Sequence, residues 1–415
     1  MTAFSVVLPA GRGTRGASPL RVLACATVAL APVEGYLAAV HAQLGKVAPA
    51  LLVVTWLAVR ARQRRLLRPT PLYAVLAALA VVVATTAAAH SAGAFTVEYT
   101  VRWLPFLVVT AALADVAGRE VPIRDVLLAM AAGATVAGAG ALYSLVVEGQ
   151  ARASGPQPDP NDLAYFLVAA VPLLAVARPG PRHRFSGVAP AIAGAVLVAG
   201  AVATFSRGGA LGLAAAVGWL LVRRVLPWRL LGAAAASLLV LGLGALLLAR
   251  PQLERAVQEK TFIAASNVDT RELRWQAAAR MVTAHPVLGA GPGGFRAEYA
   301  AESHDAEVDE QTPVAHNMYL EVAAELGLPG FALFAGVLGV AAVASERTVR
   351  LAGPAAPARV EAVAIQASLL AVLVTSTFLS EQYYLPLWSL AALAVAAETR
   401  VRGEGGADAC LARDQ

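Results

Sequence analysis

Apolar stretches that approach the length of a membrane-spanning helix recur along nearly the whole chain. A helix of about 20 apolar residues crosses the hydrocarbon core of a bilayer. Of the 415 residues, 58% are hydrophobic and 14% are charged, whereas soluble domains carry about 25% charged residues. The composition therefore argues against a soluble fold. Because the weak alternating pattern of a membrane β-barrel is absent, we predict an all-α, polytopic membrane helix bundle.

The apolar stretches predict about twelve transmembrane helices. We expect these spans at 20–40, 45–60, 71–90, 101–117, 124–147, 161–177, 188–205, 208–222, 229–249, 317–345, 360–380 and 383–398. The seventh and eighth are separated only by the polar stretch 206–209 and could equally be one broken segment, which would lower the count to about eleven or ten. The spans divide the chain into an N-terminal bundle (1–249), one large helical loop (250–315), C-terminal helices (316–400) and a tail (401–415).

Arginines are dense in every second loop, which predicts the topology because cytoplasmic loops are enriched in Lys and Arg. One dense loop holds Arg60, Arg62, Arg64, Arg65 and Arg68, whereas the opposite short loops hold only Lys46, Arg102, Arg152 and Arg207. This alternation places both termini in the cytoplasm and the large loop outside, and it favours a real turn at Ser206. The net charge of +6 is therefore explained by arginines in the loops between spans and does not indicate a nucleic-acid partner.

Two further features concern processing and metal binding. Arg12 and Arg15 precede the first apolar run and no clear cleavage site follows it, so we expect this run to stay as a signal anchor. The chain has only two cysteines, Cys25 and Cys410, so the sequence predicts neither a disulfide framework nor a cysteine-based metal site.

The large loop is the one segment with soluble character. Residues 253–260 and 271–285 are predicted to form short helices, the second ended by Pro286. A Gly- and Pro-rich stretch and an acidic run follow. The acidic run comprises Glu298, Glu302, Asp305, Glu307, Asp309 and Glu310. No internal repeat is visible, which weakens a transporter interpretation.

The Gly-rich stretch formally contains GxGxxG, at Gly289, Gly291 and Gly294. That motif binds dinucleotides only where a strand leads into it and a helix leads out. Here a predicted helix precedes it and Pro292 lies inside it. A tight turn is therefore favoured over a nucleotide site.

Polar residues next to apolar runs are the candidate site residues. Between two apolar runs, the ionised side chain of Arg207 is energetically unfavourable unless it snorkels to the interface or meets an anion. The neighbouring Gly208 would let a large ligand approach the backbone. His316 precedes a span and is either a helix-end residue or a general base. Asn317, Glu321 and Glu325 follow it at i, i+4 and i+8 on one helix face.

For the other candidate site residues, an ordinary structural role is an equally good explanation. Asp159, Asn161 and Asp162 open another span, where Asn and Asp commonly cap helices. Arg271 and Arg274 begin the second loop helix, where a single arginine is usually a solvated charge. Glu381, between the last two spans, and Glu34, within the first, are further polar candidates.

Three segments in this order resemble the O-antigen ligase and O-antigen polymerase family. The first is Pro160-Asn-Asp-Leu-Ala164 and the second is Ser206-Arg-Gly-Gly209. The third and most specific contains Arg271, Trp275, Pro286, Gly289, Gly291 and Phe295, and it ends in the His316-Asn317 segment with Tyr319, Glu321, Glu325, Gly327 and Gly330. The motifs cover about 155–335, and the topology extends the resemblance to the whole chain.

The resemblance implies a GT-C-like membrane glycosyltransferase of the bacterial cytoplasmic membrane, acting in surface polysaccharide biosynthesis. Such an enzyme moves a glycan from a polyprenyl diphosphate carrier to a hydroxyl of a glycan, lipid or protein acceptor on the outer face, with no metal or other cofactor. The family's essential residues correspond to Arg207, Arg271 and His316. Arg271 is preferred to Arg274 because it lies four residues before Trp275. The substrate-binding candidates are Arg274, Asn317, Glu321, Asn161, Gly208 and Gly291.

This assignment agrees with the chemistry of the residue types. Guanidinium groups can bind a diphosphate leaving group and stabilise its developing charge, and His316 could take the acceptor proton in a direct, inverting displacement. The motifs do not separate a ligase from a polymerase of the same family. A glycan transporter and a non-catalytic assembly partner are the alternatives from other classes.

Overall fold

The computed structural model describes residues 18–177, 187–225, 270–304, 306–307, 310 and 312–411, the last eight by their backbone alone. Within these residues the secondary structure is helical, with no strand, which confirms the predicted all-α fold class. The predicted span 229–249, the predicted loop helix 253–260, and Asp305 and Asp309 of the acidic run lie outside the described residues.

The helices of the described residues follow the predicted apolar segments. They are α1 (Pro19–Leu30), α2 (Glu34–Val40), α3 (Leu44–Gln63), α4 (Pro71–Ala89), α5 (Thr96–Arg119), α6 (Ile123–Val146), α7 (Pro160–Ala170), α8 (Val188–Ala203), α9 (Arg207–Val222), α10 (270–284), α11 (Gly294–Glu302), α12 (Met318–Leu351), α13 (Pro357–Thr375) and α14 (Leu385–Leu411). The 3-10 helix Ala31–Val33 joins α1 to α2, and another, Val171–Val176, follows α7.

Seven segments of the described chain are long and apolar enough to cross a membrane. They are Pro19–Val40, α3, α4, α5, α6, α12 and α13. Pro160–Val176, α8 and α9 are apolar but shorter. The predicted count of about twelve spans is therefore not confirmed, although each predicted span on the described residues coincides with helix.

Aromatic rings and small residues hold the bundle together. Trp103 of α5, Phe334 of α12 and Trp388 of α14 are fully buried, and the rings of Trp103 and Trp388 meet edge to face with centroids 6.1 Å apart. A Cβ at Gly133 would lie 1.9 Å from the Ala29 carbonyl oxygen, so α6 and α1 touch backbone to backbone there. Small residues at such crossings favour close helix association in membranes.

The Gly-rich stretch is a tight turn packed on a break in α12. The break lies at Gly327, with φ 68° and ψ −178°. Gly291 N–H donates to the Glu325 carbonyl oxygen at 3.0 Å, and Leu328 N–H donates to the Pro286 carbonyl oxygen at 2.8 Å. A Cβ at Gly289 would lie 2.4 Å from the Glu325 backbone. Helix α10 leads into this turn, so the strand–loop–helix context of a dinucleotide site is missing.

Candidate active site

The Ser206 segment is an elbow between α8 and α9. Phe205 adopts a left-handed conformation with φ 53°, and Ser206 caps α9 because its Oγ accepts from Gly209 N–H at 3.2 Å. The break predicted here is therefore a real interruption of the helix. Arg207 stands exposed on the first turn of α9. A Cβ at Gly208 would lie 3.2 Å from the ring of Phe378, so Gly208 provides close packing beside Arg207.

Arg152, in the segment before α7, ties this elbow to the start of α7. Its Nε donates to the Thr204 carbonyl oxygen at 2.9 Å and its Nη2 donates to Asn161 Oδ1 at 3.1 Å. Asn161 in turn donates through its backbone N and its Nδ2 to Asp159 Oδ1, at 2.7 and 2.9 Å. Sequence reasoning treated Arg152 only as a loop charge. It missed the contact with Thr204 because 52 residues separate the partners.

Arg274 is held by two carboxylates of the acidic run. Its Nε and Nη2 donate to the two carboxylate oxygens of Glu307 at 3.0 and 2.9 Å, and Nη2 also donates to Glu310 Oε2 at 2.9 Å. The side chain of Arg274 is only 6% exposed. Tyr299 donates its hydroxyl to Glu307 as well. Arg274 is thus neutralised within the protein and fixes the loop around α10.

Arg271 lies one turn earlier on α10 in a different environment. Within the described residues no hydrogen bond or ion pair fixes its guanidinium. Burial lowers the pKa of Arg271, and the charges of Arg274, Arg152 and Arg207 lower it further against the opposing effect of Asp159. The positive charges of Arg152, Arg207 and Arg271 therefore act on one region, and such a region favours an anionic ligand.

His316 occupies the turn before α12 in a left-handed conformation, with φ 48°. Asn317 caps α12, since its Oδ1 accepts from Tyr319 N–H and Leu320 N–H at 3.1 Å each. Burial, followed by the charges of Arg274 and Arg271, lowers the pKa of His316 to about 4. At neutral pH the imidazole is therefore uncharged and able to accept a proton.

Electrostatic interactions link the three residues that the sequence singled out as catalytic. The charge of Arg271 acts on His316, and the charge of Arg207 acts on Arg271. Arg152 and Asp159 belong to the same group, and Asn161 is tied to it through both. We call Arg152, Arg207, Arg271 and Asp159 the Arg271 cluster.

Two other predicted substrate contacts have structural partners instead. Glu321 is 3% exposed and its carboxylate accepts hydrogen bonds from the protein. A Cβ at Gly291 would lie 2.8 Å from His90, so this glycine serves the packing of its turn on α4. The substrate role of both residues stays a prediction, and the geometry favours a bracing role for Glu321.

Two neighbouring carboxylates, the half-buried Asp162 and the buried Glu381, lie beside the start of α7. The Tyr384 hydroxyl donates to Asp162 Oδ2 at 2.8 Å, and Glu381, 1% exposed, neighbours Asp162.

In the described part of the chain, no group of three or more His, Cys, Asp or Glu side chains is arranged to hold a metal ion.

Comparison with known families bears directly on this site. Residues 192–335 match the model of the O-antigen ligase family. The chain carries an O-antigen ligase domain. The match confirms the resemblance seen in the sequence and includes Arg207, Arg271 and His316, whereas Arg152 and Asn161 precede it. No curated protein matches the chain significantly.

The O-antigen ligase domain and the apolar helices together define the class of this protein. It is a multi-pass protein of the bacterial inner membrane and a membrane enzyme of the O-antigen ligase and polymerase type. Enzymes of this type act on lipid-linked glycan donors and glycan acceptors in general.

Proposed function

We propose that this chain transfers a glycan from a polyprenyl diphosphate carrier to an acceptor hydroxyl, with inversion at the anomeric carbon and without a metal ion. The observation that carries the proposal is that Arg207, Arg271 and His316 all belong to the O-antigen ligase domain and that their charges act on one another in sequence, Arg207 on Arg271 and Arg271 on His316. In this proposal the bundle 1–249 and the helices 316–400 hold the loop 250–315 against the membrane, with both termini in the cytoplasm and the site facing outward.

The Arg271 cluster suits the diphosphate of the carrier. A guanidinium group binds phosphate oxygens through two parallel N–H bonds, and such charge-assisted bonds are about twice as strong as neutral ones. Arg271 is partly buried on α10, whereas Arg207 is exposed on the first turn of α9, where backbone N–H groups also favour anions. Together they would stabilise the charge that develops on the leaving diphosphate.

His316 suits the role of general base. In the proposed step, the acceptor hydroxyl loses its proton to the neutral imidazole while its oxygen bonds to the anomeric carbon. The bond from that carbon to the diphosphate oxygen breaks at the same time, and polyprenyl diphosphate leaves. Burial and nearby arginines lower the pKa of His316 to about 4, so bound diphosphate would raise it again and favour proton uptake.

A reconstituted transfer assay tests the proposal. The full-length protein in lipid nanodiscs receives a polyprenyl diphosphate glycan and either a lipid acceptor or a second carrier-linked glycan, with and without EDTA. We expect a new glycosidic bond of inverted configuration, unaffected by EDTA, whose rate of formation falls about 100- to 10,000-fold in His316→Ala. The lipid acceptor distinguishes a ligase from a polymerase. Retained configuration, or wild-type-like transfer by His316→Ala, would overturn the mechanism, and carrier movement without bond formation would favour a transporter.

A further inference from the structure

A buried carboxylate braces the turn that presents His316. Glu321, on the first turn of α12, accepts a hydrogen bond from the backbone N–H of Ala315 at 2.8 Å. Its carboxylate also accepts from the hydroxyl of Ser380 and from Gln382 Nε2, the latter at 2.6 Å. The side chain thus connects the residue directly before His316 to the segment between α13 and α14.

The turn needs such a restraint because of its backbone conformation. His316 has φ 48°, and a side chain larger than hydrogen makes the left-handed region costly, by about 1 kcal/mol or more. The turn is bounded on its other side by Met318, whose N–H donates to the carbonyl oxygens of Ser376 and Leu379 at 3.0 and 2.8 Å. Hydrogen bonds on both sides of His316 therefore hold it in this conformation. On the N-terminal side, Glu321 accepts from Ala315 N–H at 2.8 Å and Arg274 Nη1 donates to the Val314 carbonyl oxygen at 3.4 Å.

We propose that Glu321 is a positioning residue for His316 and acts through the Ala315 N–H. This role rests on the proposed function of His316 as the general base. It differs from the predicted contact between Glu321 and substrate, because both carboxylate oxygens already accept hydrogen bonds from the protein. Loss of the brace would let the imidazole leave its productive position, and a misplacement of about 1 Å can cost about 100-fold in rate.

The partner of Glu321 allows a conservative rescue. Gln382 Oε1 is buried and has no hydrogen-bond partner within the described structure. In the Glu321→Gln variant, the amide of residue 382 can turn over so that its oxygen accepts from the new amide group. The new side-chain oxygen can still accept from Ala315 N–H and Ser380. Glu321→Gln should therefore keep the brace, whereas Glu321→Ala removes it.

Glu325 offers a matched control on the same helix. It lies one turn after Glu321 and is 1% exposed. Its carboxylate accepts from Gly293 N–H at 2.9 Å, so it braces the glycine turn instead of the His316 turn. Glu325→Ala therefore reports the general cost of losing a buried carboxylate from α12.

The experiment compares kcat, KM for the carrier-linked glycan and the amount of folded protein for Ala and Gln at both positions. We expect Glu321→Ala to lower kcat about 10- to 100-fold at nearly unchanged KM, Glu321→Gln to recover most of it, and Glu325→Ala to reduce folded protein without a comparable loss of kcat. The proposal is overturned if Glu321→Gln is as slow as Glu321→Ala, or if Glu325→Ala loses as much kcat.

Two additions keep the result decisive. In a His316→Gln background, assayed in single turnover, Glu321→Ala should cost nothing more, because interacting residues are not additive. A further loss of the full 10- to 100-fold would show a purely structural role.

If Glu321→Ala does not fold, Ser380→Ala removes one donor to the carboxylate and should lower kcat about threefold. An unchanged kcat in Ser380→Ala would contradict the brace. Failure of the proposed function itself would appear separately, as no transfer by wild type.

Discussion

Two groups of arginines in this molecule differ in how their charge is balanced. In the first, which we call the Arg60 cluster, Arg60 bonds to Asp115 and to Glu120 at 2.5 Å each, and Arg119 bonds to Asp115 at 2.7 Å. In the Arg271 cluster, Arg271 is surrounded by the charges of Arg152 and Arg207, with Asp159 acting in the opposite sense. The Arg60 cluster carries its own counter-ions, whereas Arg271 has no ion pair among the described residues and suits a counter-ion supplied by a ligand.

The contrast repeats within a single helix. Arg274 resembles the Arg60 cluster because Glu307 and Glu310 neutralise it, whereas Arg271, one turn earlier on α10, has no such ion pair among the described residues. Arg271 and Arg274 are thus the same residue type on neighbouring turns of one helix. They differ in their partner carboxylates, which make Arg274 a structural residue and leave Arg271 as the proposed ligand-binding one.

The largest effect is expected at the Arg271 cluster. Arg271→Gln and Arg207→Gln should each lower glycan transfer about 100- to 1,000-fold at a normal amount of folded protein, because each removes a charge-stabilising donor. Initial rates in nanodiscs measure this, with Arg60→Gln as the control whose rate per folded molecule should not change. Equal losses in all three variants would remove the distinction between the clusters.

The pH dependence of transfer should be the next largest effect. His316 acts as a base only when neutral, and its pKa is lowered to about 4, so kcat/KM should stay level down to about pH 5 and fall about tenfold per unit below about pH 4. The fall in kcat should lie at higher pH, because bound diphosphate raises the pKa of His316.

Removal of Arg271 sharpens this test. Since its charge contributes to the lowered pKa of His316, the residual kcat/KM of Arg271→Gln should fall at a pH up to about one unit higher than in wild type. An unchanged or lower inflection would show that Arg271 does not act on His316.

At the Arg60 cluster we expect a substitution to lower the stability of the protein but not the glycan-transfer rate per folded molecule. Arg60→Gln removes one of the two arginines that neutralise the buried Asp115 and leaves Arg119 in place. The free energy of unfolding should therefore fall by about 1–3 kcal/mol, less than the about 3–5 kcal/mol lost when a buried pair is fully broken. Thermal unfolding of the protein in nanodiscs measures this effect.

The smallest change is expected for Arg102→Gln. Arg102 and Glu98 are 45% and 50% exposed, and such exposed pairs contribute at most about 1 kcal/mol. A similar loss in both variants would contradict the assignment.

Much of the fold could be predicted from the sequence because membrane crossing imposes a strong local signal. The spans at 71–90 and 188–205 coincide with α4 and α8, since apolar length alone determines them. The number of crossings could not be predicted as firmly, because α7, α8 and α9 are short.

The candidate site was predictable only in part, for a physical reason. Arg207, Arg271 and His316 belong to short motifs, so the sequence indicated them directly. The bonds of Arg152 to Thr204 and of Arg274 to Glu307 join residues 52 and 33 positions apart. No local pattern encodes such contacts, and the one with Glu307 gives Arg274 its own counter-ion.

The most direct test of the central claim compares Arg271→Gln with Arg274→Gln. Transfer rate per folded molecule and thermal stability are measured on the same nanodisc preparations. Arg271→Gln should unfold like wild type and lose about 100-fold or more of its rate. Arg274→Gln should unfold at a lower temperature and transfer at a near-normal rate per folded molecule. The reverse pattern, with Arg274 needed for transfer and Arg271 needed only for stability, would contradict the account.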